Sequence, residues 1–600
     1  MSKEAGTASK GSKATSSMSV LENAGSNGGP TVEAMPLPNL RVRLPMRDGV
    51  QLDTSVWLPS DQGPAPAILF RTPYRQHIMG WRRLGILRYV QSGYAVVFQL
   101  IRGIGDSEGT FTFNSPHERL DGFDTVEWIA RQTWCDGAVG MDGASYVGMT
   151  QLAAAAERPP HLRCIVPCVP SVDFFREIPY MGGIFSRLHS INWTNLLQID
   201  SLAEAKGGFA SPGPILSQPE WLQRMRSRPL IDAADGVLTG TRLEHYKDIL
   251  AHPRFDEWWN QRSLSSADYR NIDLPCLVVS GNFDLCIGAL TLWRQMEAHA
   301  AHPEQRQLLI GPWDHGQSYV GGGKQYGPYD FGDADRVDPM DLRLAFFDQH
   351  LRGKGKAPVL PSRVQLFVTG ANQWVGFDEY PPRETTAHTL YLRSDGRANS
   401  ARGQGWLHRE APTPHEMPDH FIADPTLPFS PALFAADPFQ LDLREFERCH
   451  DILCYSGAAL EQPLTLIGEA GLHLHMAADT PDCDVIAQLA ERRSDGQVIR
   501  LAFATLRLRY RQGKDKELLL TPGQPVEVKL PFTYIAHQLP AGSSLCLFIG
   551  GTLFPLLDPN PNTGEPIATA VEMRCATTTI FHAGQRASSL TLPVLAHAGS

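Results

Sequence analysis

Residues 140–148 read Gly-Met-Asp-Gly-Ala-Ser-Tyr-Val-Gly, with Ser145 between a strand-like segment and a run of strong helix formers. Gly143 and Gly148 flank the serine and have no Cβ, so backbone can pack closely around a strained residue whose hydroxyl stays exposed. The spacing, Gly-x-Ser-x-x-Gly, is one residue longer than the common nucleophile elbow. It predicts a strand–turn–helix in which Ser145 is the nucleophile and the backbone N–H of Tyr146 points at an oxyanion. The alternative is a glycine-rich loop that contains a serine by chance.

Two later strand patterns end in residues that would activate such a serine, which needs a base and a carboxylate to orient that base. Residues 274–284 form a short buried-strand pattern ending in Asp284, and residues 306–316 form another that carries His315 near its end. The order Ser, Asp, His after successive strands is typical of an α/β-hydrolase. Asp314 is a second candidate acid, but the sequence neighbour of His315 is poorly placed to accept a hydrogen bond from its ring. We therefore predict that Asp284 orients His315.

Further motifs extend along most of the chain. Those of the N-terminal half are Arg71-Thr72-Pro73-Tyr74, Arg102-Gly103-x-Gly105-x-Ser107-x-Gly109, Asp121-Gly122-Phe123-Asp124-Thr125-x-Glu127-Trp128, the Ser145 turn and Gly311-x-x-x-His315. Those of the C-terminal third lie at 451–456, 477–484, 506–511 and 560–564. In combination and order they resemble the cocaine esterase-like hydrolases, which are related to the X-Pro dipeptidyl-peptidases. The resemblance covers roughly residues 38–590.

This resemblance implies an α/β-hydrolase core with an inserted helical cap, plus a C-terminal all-β jelly-roll domain. Carried over by motif, Ser145 is the nucleophile, Asp284 the orienting acid and His315 the general base. The hydroxyl of Tyr74 matches the family's tyrosine that joins the Tyr146 amide in the oxyanion hole. One such donor stabilises a tetrahedral oxygen by ~3 kcal/mol. The alternative for Tyr74 is an ordinary turn residue after a proline.

The texture of the sequence sets the predicted domain boundaries. Residues 1–37 are rich in Ser, Gly, Ala and Lys and are predicted to be a disordered tail. Strand and helix patterns alternate over 38–172 and again over 260–355, which predicts the two parts of the hydrolase core. Helical stretches rich in tryptophan at 173–259 predict the cap, and short alternating strands with frequent Gly and Pro at 356–600 predict the jelly roll.

Two positions depart from the family's pattern. Leu100 stands where the family usually has an aspartate, so the ion pair around Arg102 is either absent or differently partnered. Position 142 is often aromatic in the family and is Asp142 here. We interpret Asp142 as a structural carboxylate, solvated or paired, with the sensing of a substrate cation as the alternative.

The residues after Asp284 bear on the substrate class. The α-amino-acid ester hydrolases of this superfamily carry carboxylates there that bind the substrate ammonium, whereas Leu285-Cys286-Ile287 follow in this chain. The apolar trio favours an acyl pocket lined by hydrophobic atoms. Trp193 and Cys286 are candidate substrate contacts, with core packing as the alternative for both.

Together these features predict a serine hydrolase that cleaves carboxylic esters of a hydrophobic or aromatic acyl group through an acyl-enzyme. The same apparatus could serve an amidase, an X-Pro dipeptidyl-peptidase-like peptidase, or an acyltransferase if the cap excludes water. A non-catalytic binding protein with a vestigial hydrolase core is the remaining alternative.

Composition suits an enzyme whose partner is a small ester or amide. The 600 residues are 42% hydrophobic and 20% charged with a net charge of −10, which gives no reason to expect nucleic acid or membrane as a partner. Ten cysteines without metal-ligand spacing suit reduced thiols in the cytoplasm and predict no disulfide. No run approaches the ~18 apolar residues of a membrane helix. A homodimer is left open.

Neither a metal nor an organic cofactor is expected. The glycines at 103, 105 and 109 do not form the dinucleotide fingerprint, because the third is displaced and no ribose-binding acid follows at the needed place. His473 and His475 share one strand face but lack a third ligand at metal-binding spacing.

Overall fold

The structure is a computed structural model that describes residues 36–60, 63–74, 81–196, 225–235, 241–284, 288–334, 337–355, 358–399, 405–427 and 441–596. The tail predicted for residues 1–37 lies outside these ranges except for its last two residues. Leu285, Cys286 and Ile287 also lie outside them.

The N-terminal half is built around one ten-stranded sheet. The strands of this half are, in chain order, β1 (Leu40–Pro45), β2 (Gln51–Trp57), β3 (Ala65–Thr72), β4 (Ala95–Leu100), β5 (Cys135–Ala144), β6 (Leu162–Cys168), β7 (Tyr180–Met181), β8 (Ile184–Phe185), β9 (Cys276–Gly281), β10 (Arg306–Gly311), β11 (Gln325–Tyr326), β12 (Tyr329–Asp330), β13 (Val364–Val368) and β14 (Gln373–Phe377). The sheet order is β1-β2-β4-β3-β5-β6-β9-β10-β13-β14. All neighbours from β4 to β13 are parallel, whereas β1, β2 and β14 run antiparallel to theirs.

Helices cover both faces of this sheet. The described α-helices are α1 (Trp81–Gln91), α2 (His117–Ala130), α3 (Tyr146–Ala156), α4 (Phe174–Glu177), α5 (Arg187–Leu196), α6 (Thr241–Ala251), α7 (Glu257–Asn260), α8 (Ser266–Asn271), α9 (Gly288–His299), α10 (Gln317–Val320) and α11 (Pro339–Arg352). In β3, Ile68 and Phe70 pack in the cluster on one face, together with side chains of α1 and α11. Ala67 and Leu69 pack on the other face with α2, α3 and α9. Because successive strand residues point to opposite faces, a sheet covered on both sides needs continuous apolar strands. The predicted α/β-hydrolase-like core is confirmed.

The chain leaves the sheet between β6 and β9, in the segment predicted as the cap. Its described part contains helices α4 to α7. It also contains the β7–β8 hairpin, which was not predicted from the sequence. Gly182 turns this hairpin with φ +57° against the C-terminal half, where a Cβ would lie 1.9 Å from the carbonyl oxygen of Thr505. The amide of Arg507 donates to the Gly182 carbonyl at 2.8 Å. Only glycine fits so close a contact.

The C-terminal half is a mostly antiparallel β domain. Its strands are β15 (Thr385–Arg393), β16 (Gly405–His408), β17 (Asp419–Ala423), β18 (Ile452–Ser456), β19 (Leu464–Ala478), β20 (Asp484–Arg492), β21 (Val498–Arg507), β22 (Val526–Leu539), β23 (Ser544–Gly550), β24 (Ala576–Phe581) and β25 (Ser589–Leu595). They form one eleven-stranded sheet in which the β16–β18 pair is parallel. In the described residues after Arg352, the helical turns are short 3-10 segments.

One strand assignment from the sequence was wrong. Val364–Val368 was predicted to belong to the C-terminal β domain, but as β13 it pairs in parallel with β10. It therefore extends the hydrolase sheet, because β10 offers backbone hydrogen-bonding groups on its outer side that a further strand can satisfy.

Across the described parts of the chain, no helix combines the length and the apolar character that crossing a bilayer requires. The nine cysteines within those parts are free thiols.

Candidate active site

Ser145 occupies the sharp turn between β5 and α3. Its backbone has φ 63° and ψ −127°, a left-handed conformation that costs a non-glycine residue free energy. The turn is tight because Gly143, at φ +142°, lies so close to Val147 that a Cβ would stand 2.2 Å from its Cγ1 atom. Ser145 is partly accessible while its neighbours on both sides are buried. The predicted strand–turn–helix is therefore present, and its strained residue is the serine.

Asp284 and His315 meet at the same edge of the sheet. Asp284 follows β9 and His315 follows β10, and these parallel neighbours are in register from Arg306 opposite Cys276 to Gly311 opposite Gly281. Oδ1 of Asp284 lies 2.8 Å from Nδ1 of His315. The carboxylate is buried, whereas 46% of the histidine side chain is exposed. This geometry fixes the imidazole by its Nδ1 atom and turns Nε2 away from the carboxylate.

Asp314, the other candidate acid, has a different set of contacts. Its Oδ1 accepts the backbone N–H of Gln317 at 2.8 Å, and the Gln317 side chain accepts the Asp314 amide at 3.2 Å. Burial raises the pKa of Asp314. Its carboxylate therefore stabilises the turn into α10 and does not orient the histidine.

Tyr74 follows β3, and its ring is buried. The indole Nε1–H of Trp193, on α5 of the inserted segment, donates to the Tyr74 hydroxyl oxygen at 3.0 Å. The ring of Trp193 also packs on the rings of Phe113 and Tyr146, with centroid distances of 5.6 and 6.3 Å. The structure thus brings together Tyr74, Tyr146 and the tryptophan that was predicted as a substrate contact.

The side chain of Tyr146 is a structural group. Its hydroxyl accepts the backbone N–H of Asn114 at 2.9 Å, and burial holds its pKa well above the usual range. Its amide is the first of helix α3, so no carbonyl one turn earlier within the helix can accept it. That amide is the group of Tyr146 available to an oxyanion.

The charged residues near the elbow are paired inside the protein. Asp142 accepts hydrogen bonds from the hydroxyls of Tyr89 at 2.7 Å and Tyr319 at 3.0 Å, so it is a structural carboxylate as interpreted from the sequence. Arg102 donates to Asp121 at 2.6 Å and to Asp48 at 2.7 Å. The ion pair that Leu100 put in doubt is therefore present with other partners.

Sequence reasoning missed His189, which lies one helical turn before Trp193 on α5. Burial lowers the pKa of His189 to about 4, with the nearby His315 ring lowering it further and the Asp284 carboxylate opposing both. The i, i+4 spacing of His189 and Trp193 placed them on one helix face. The spacing alone could not predict which residues this helix face contacts.

A cavity of about 80 Å³ lies beside Asp284, between the hydrolase core and the β domain. Its walls include five aromatic side chains: Phe283, Tyr326, Tyr329, Phe503 and Tyr534. Because β21 and β22 supply part of this wall, the β domain reaches the surroundings of the acid.

The other candidates give no further site. The predicted acyl-pocket residues Leu285, Cys286 and Ile287 lie outside the described residues. His473 binds Glu527 through Nε2 at 2.8 Å. In the described stretches, no group of three or more His, Cys, Asp or Glu side chains could hold a metal ion.

The chain is similar to known hydrolases over nearly its whole length. The model of the X-Pro dipeptidyl-peptidase (S15) family matches residues 48–317, and that of the X-Pro dipeptidyl-peptidase C-terminal non-catalytic domain matches residues 359–591. The cocaine esterase of Rhodococcus sp. (strain MB1 Bresler) is 31% identical over 580 residues, covering 92% of this chain and 98% of that protein. An aminopeptidase from a marine sediment Thaumarchaeota archaeon shares the fold with a TM-score of 0.80 at 23% identity, covering 94% of this chain and 98% of the other. An α-amino acid ester hydrolase also matches with a TM-score of 0.80, at 24% identity over 95% of this chain and 99% of the other.

Proposed function

Because the chain belongs to the cocaine esterase-like serine hydrolases of the X-Pro dipeptidyl-peptidase (S15) family, we propose that it hydrolyses carboxylic esters of a hydrophobic or aromatic acyl group. The observation that carries the proposal is the 2.8 Å pair between Asp284 and His315, at the sheet edge where β5 also presents Ser145. A buried carboxylate on Nδ1 leaves Nε2 to take a proton from a serine hydroxyl.

The proposed reaction has two steps. His315 removes the proton of Ser145 as its Oγ attacks the ester carbonyl, and the imidazolium that forms is stabilised by Asp284. The tetrahedral oxyanion accepts hydrogen bonds from the Tyr146 amide and the Tyr74 hydroxyl. His315 then protonates the departing alcohol, and a water molecule, activated by the same imidazole, hydrolyses the acyl-enzyme. The strain at Ser145 holds its hydroxyl out of the helix for this attack.

Apolar residues support the proposed acyl preference. Leu285, Cys286 and Ile287 follow the acid where a cation-binding site would need carboxylates. In addition, Phe113, Phe174 and Trp193 form an aromatic cluster beside Tyr74. Contact of Trp193 and Cys286 with the acyl group remains part of this proposal.

Amide cleavage is the second candidate, and the match to the X-Pro dipeptidyl-peptidase family model favours it over acyl transfer. The catalytic residues would be the same, because ester and amide hydrolysis both pass through a tetrahedral intermediate. A non-catalytic binding protein would have no use for the strain at Ser145.

Active-site titration combined with a substrate panel tests the proposal. We expect a fluorophosphonate to label Ser145 in the wild type and to leave Ser145→Ala unlabelled. Among p-nitrophenyl esters, we expect kcat/KM for benzoyl to exceed that for acetyl by about tenfold, the usual discrimination of an apolar pocket. Absence of labelling would reject a serine hydrolase mechanism. Faster cleavage of X-Pro p-nitroanilides than of all esters would instead select the peptidase.

The finer architecture is also proposed. The segment 173–259 acts as a cap over the site, supported by the contact of α5 with Tyr74, and the C-terminal β domain is a jelly roll, supported by its mostly antiparallel strands. The cytoplasm is the proposed compartment, supported by the free thiols among the described cysteines. The homodimer stays a prediction that light scattering can check.

A further inference from the structure

The hydroxyl of Tyr74 is held by a side chain from another part of the fold. Tyr74 follows β3 of the hydrolase sheet, whereas Trp193 lies 119 residues later, on α5 of the inserted segment. The bond of 3.0 Å runs from the indole Nε1–H to the phenolic oxygen. Indole N–H can only donate, so the direction of this bond is fixed by chemistry.

The tryptophan is partly buried and packs among aromatic rings. Its ring lies edge-on to Phe113, with 5.6 Å between the ring centroids, and is stacked on Tyr146 with a centroid distance of 6.3 Å. The centroids of the Phe174 and His245 rings lie 5.7 and 5.9 Å from it. With aromatic neighbours on several sides, the indole has little freedom to rotate, so the position of its N–H is set before substrate arrives.

We propose that Trp193 is the positioning residue of the oxyanion hole, a role that rests on the proposed function of Tyr74. A phenol has one proton and an oxygen that accepts hydrogen bonds. By donating to that oxygen, Trp193 fixes the orientation in which the Tyr74 O–H donates a hydrogen bond to the substrate carbonyl oxygen. These are hydrogen bonds only, and no proton is transferred between Trp193, Tyr74 and the substrate.

The same bond makes Tyr74 a stronger donor. As negative charge develops on the carbonyl oxygen, the Tyr74 O–H bond is polarised and the phenolic oxygen becomes more negative. The indole N–H stabilises that charge, because hydrogen bonds in a chain polarise one another. The benefit arises in the transition state, so it is expected in kcat and not in KM.

This role differs from the acyl contact predicted for Trp193. A tryptophan that only lines the acyl pocket binds the ground state and the transition state alike, so its loss raises KM. It would also act independently of the Tyr74 hydroxyl. The two roles therefore predict different results in a double-mutant cycle.

The experiment measures kcat and KM on p-nitrophenyl benzoate for wild type, Trp193→Phe, Tyr74→Phe and the double variant. We expect Trp193→Phe to lower kcat about tenfold with KM changed less than threefold, and Tyr74→Phe to lower kcat about 10²-fold. The double variant should be no slower than Tyr74→Phe. Trp128→Phe, at a partly buried tryptophan on α2 whose ring packs against Trp134, is the matched control and should keep wild-type kcat.

Three outcomes overturn the inference: wild-type kcat in Trp193→Phe, a rise in KM alone, or losses that multiply in the double variant. If Trp193→Phe fails to fold, 3-benzothienylalanine at position 193 keeps the shape of the indole without its N–H, and the same expectations apply. Failure of the proposed function gives a different result: Ser145 would not be labelled by the fluorophosphonate, and any hydrolysis of p-nitrophenyl benzoate would be as fast in Tyr74→Phe as in the wild type.

Discussion

Two carboxylates compete for the role of orienting His315, and their hydrogen bonds separate them. Asp284 contacts the imidazole, whereas Asp314 binds the backbone of Gln317. We expect Asp284→Asn to lower kcat by about 10⁴-fold, because an amide neither stabilises the imidazolium nor enforces the correct tautomer. Asp314→Asn is the matched control, since an asparagine oxygen still accepts the Gln317 amide, and it should stay within threefold of wild type. Equal losses in both variants, measured as kcat on one ester, would contradict this assignment.

A buried histidine should make the fold sensitive to acid. His245 packs on Phe111, Phe113 and Trp193, and its Nε2 atom has no hydrogen-bond partner in the part of the chain that the structure describes. Burial lowers the pKa of His245 to about 4, and the positive charge of Arg262 acts in the same direction. Between pH 6.5 and 4, therefore, the unfolded chain binds a proton that the folded chain does not. Each pH unit downward in that window costs about 1.4 kcal/mol of stability.

Replacing this imidazole should remove its share of the acid sensitivity. We expect His245→Phe to lose less stability than wild type between pH 7.5 and pH 5.0, measured as the shift of the urea midpoint. Phenylalanine keeps the aromatic packing and has no group to protonate. His450→Phe, at an exposed histidine, serves as the control and should leave the shift unchanged. An identical shift in His245→Phe and wild type would show that His245 is not the group responsible.

At the scale of elements, local pattern was sufficient where an element carries its own burial signal. Residues 94–98 read as a buried strand and lie mostly in β4, Ala95–Leu100; residues 338–351 read as a helix and lie almost entirely in α11, Pro339–Arg352. The first is a short apolar run rich in valine and aromatic residues and preceded by a glycine, and the second is a long amphipathic one, so length and composition separate strand from helix. The elbow at Ser145 was predictable from its flanks, because a strand-like segment precedes its glycines and a run of strong helix formers follows them.

Contacts between elements were beyond the sequence. Nothing in residues 364–368 distinguishes a strand of the β domain from one that extends the hydrolase sheet. Arg102 is paired with Asp48 and Asp121, which lie 54 and 19 residues from it in the sequence. The absence of the family's aspartate at position 100 therefore showed that one partner was missing but did not indicate which residues replace it. The bond from Trp193 to Tyr74 likewise depends on how α5 docks, and docking is a tertiary property that periodicity does not encode.

At the scale of the whole molecule, the β domain holds the inserted segment in place. Asp558 is fully buried and accepts from Arg228 at 2.8 Å, while its other oxygen lies 3.5 Å from Nε of Arg187. Its backbone N–H donates to the carbonyl of Phe185 at 2.8 Å. Arg187 is the first residue of α5, the helix that carries Trp193. The β domain, which matches the model of a non-catalytic domain, therefore anchors α5, the helix whose Trp193 contacts Tyr74.

Cutting this anchor should loosen α5 and slow the reaction together. Asp558→Asn leaves two buried guanidinium groups without their carboxylate, and removal of one member of a buried ion pair costs about 3 kcal/mol. We expect a lower urea midpoint, a kcat reduced about tenfold, and faster hydrogen exchange in peptides spanning residues 184–196. Asp442→Asn, which removes a partly exposed pair with Arg444 in the same domain, should change each of these little. Because the anchor acts through α5, the kcat loss of Asp558→Asn should shrink when Trp193 is already phenylalanine. Unchanged exchange in residues 184–196, despite a lower midpoint, would mean that Asp558 stabilises the β domain alone.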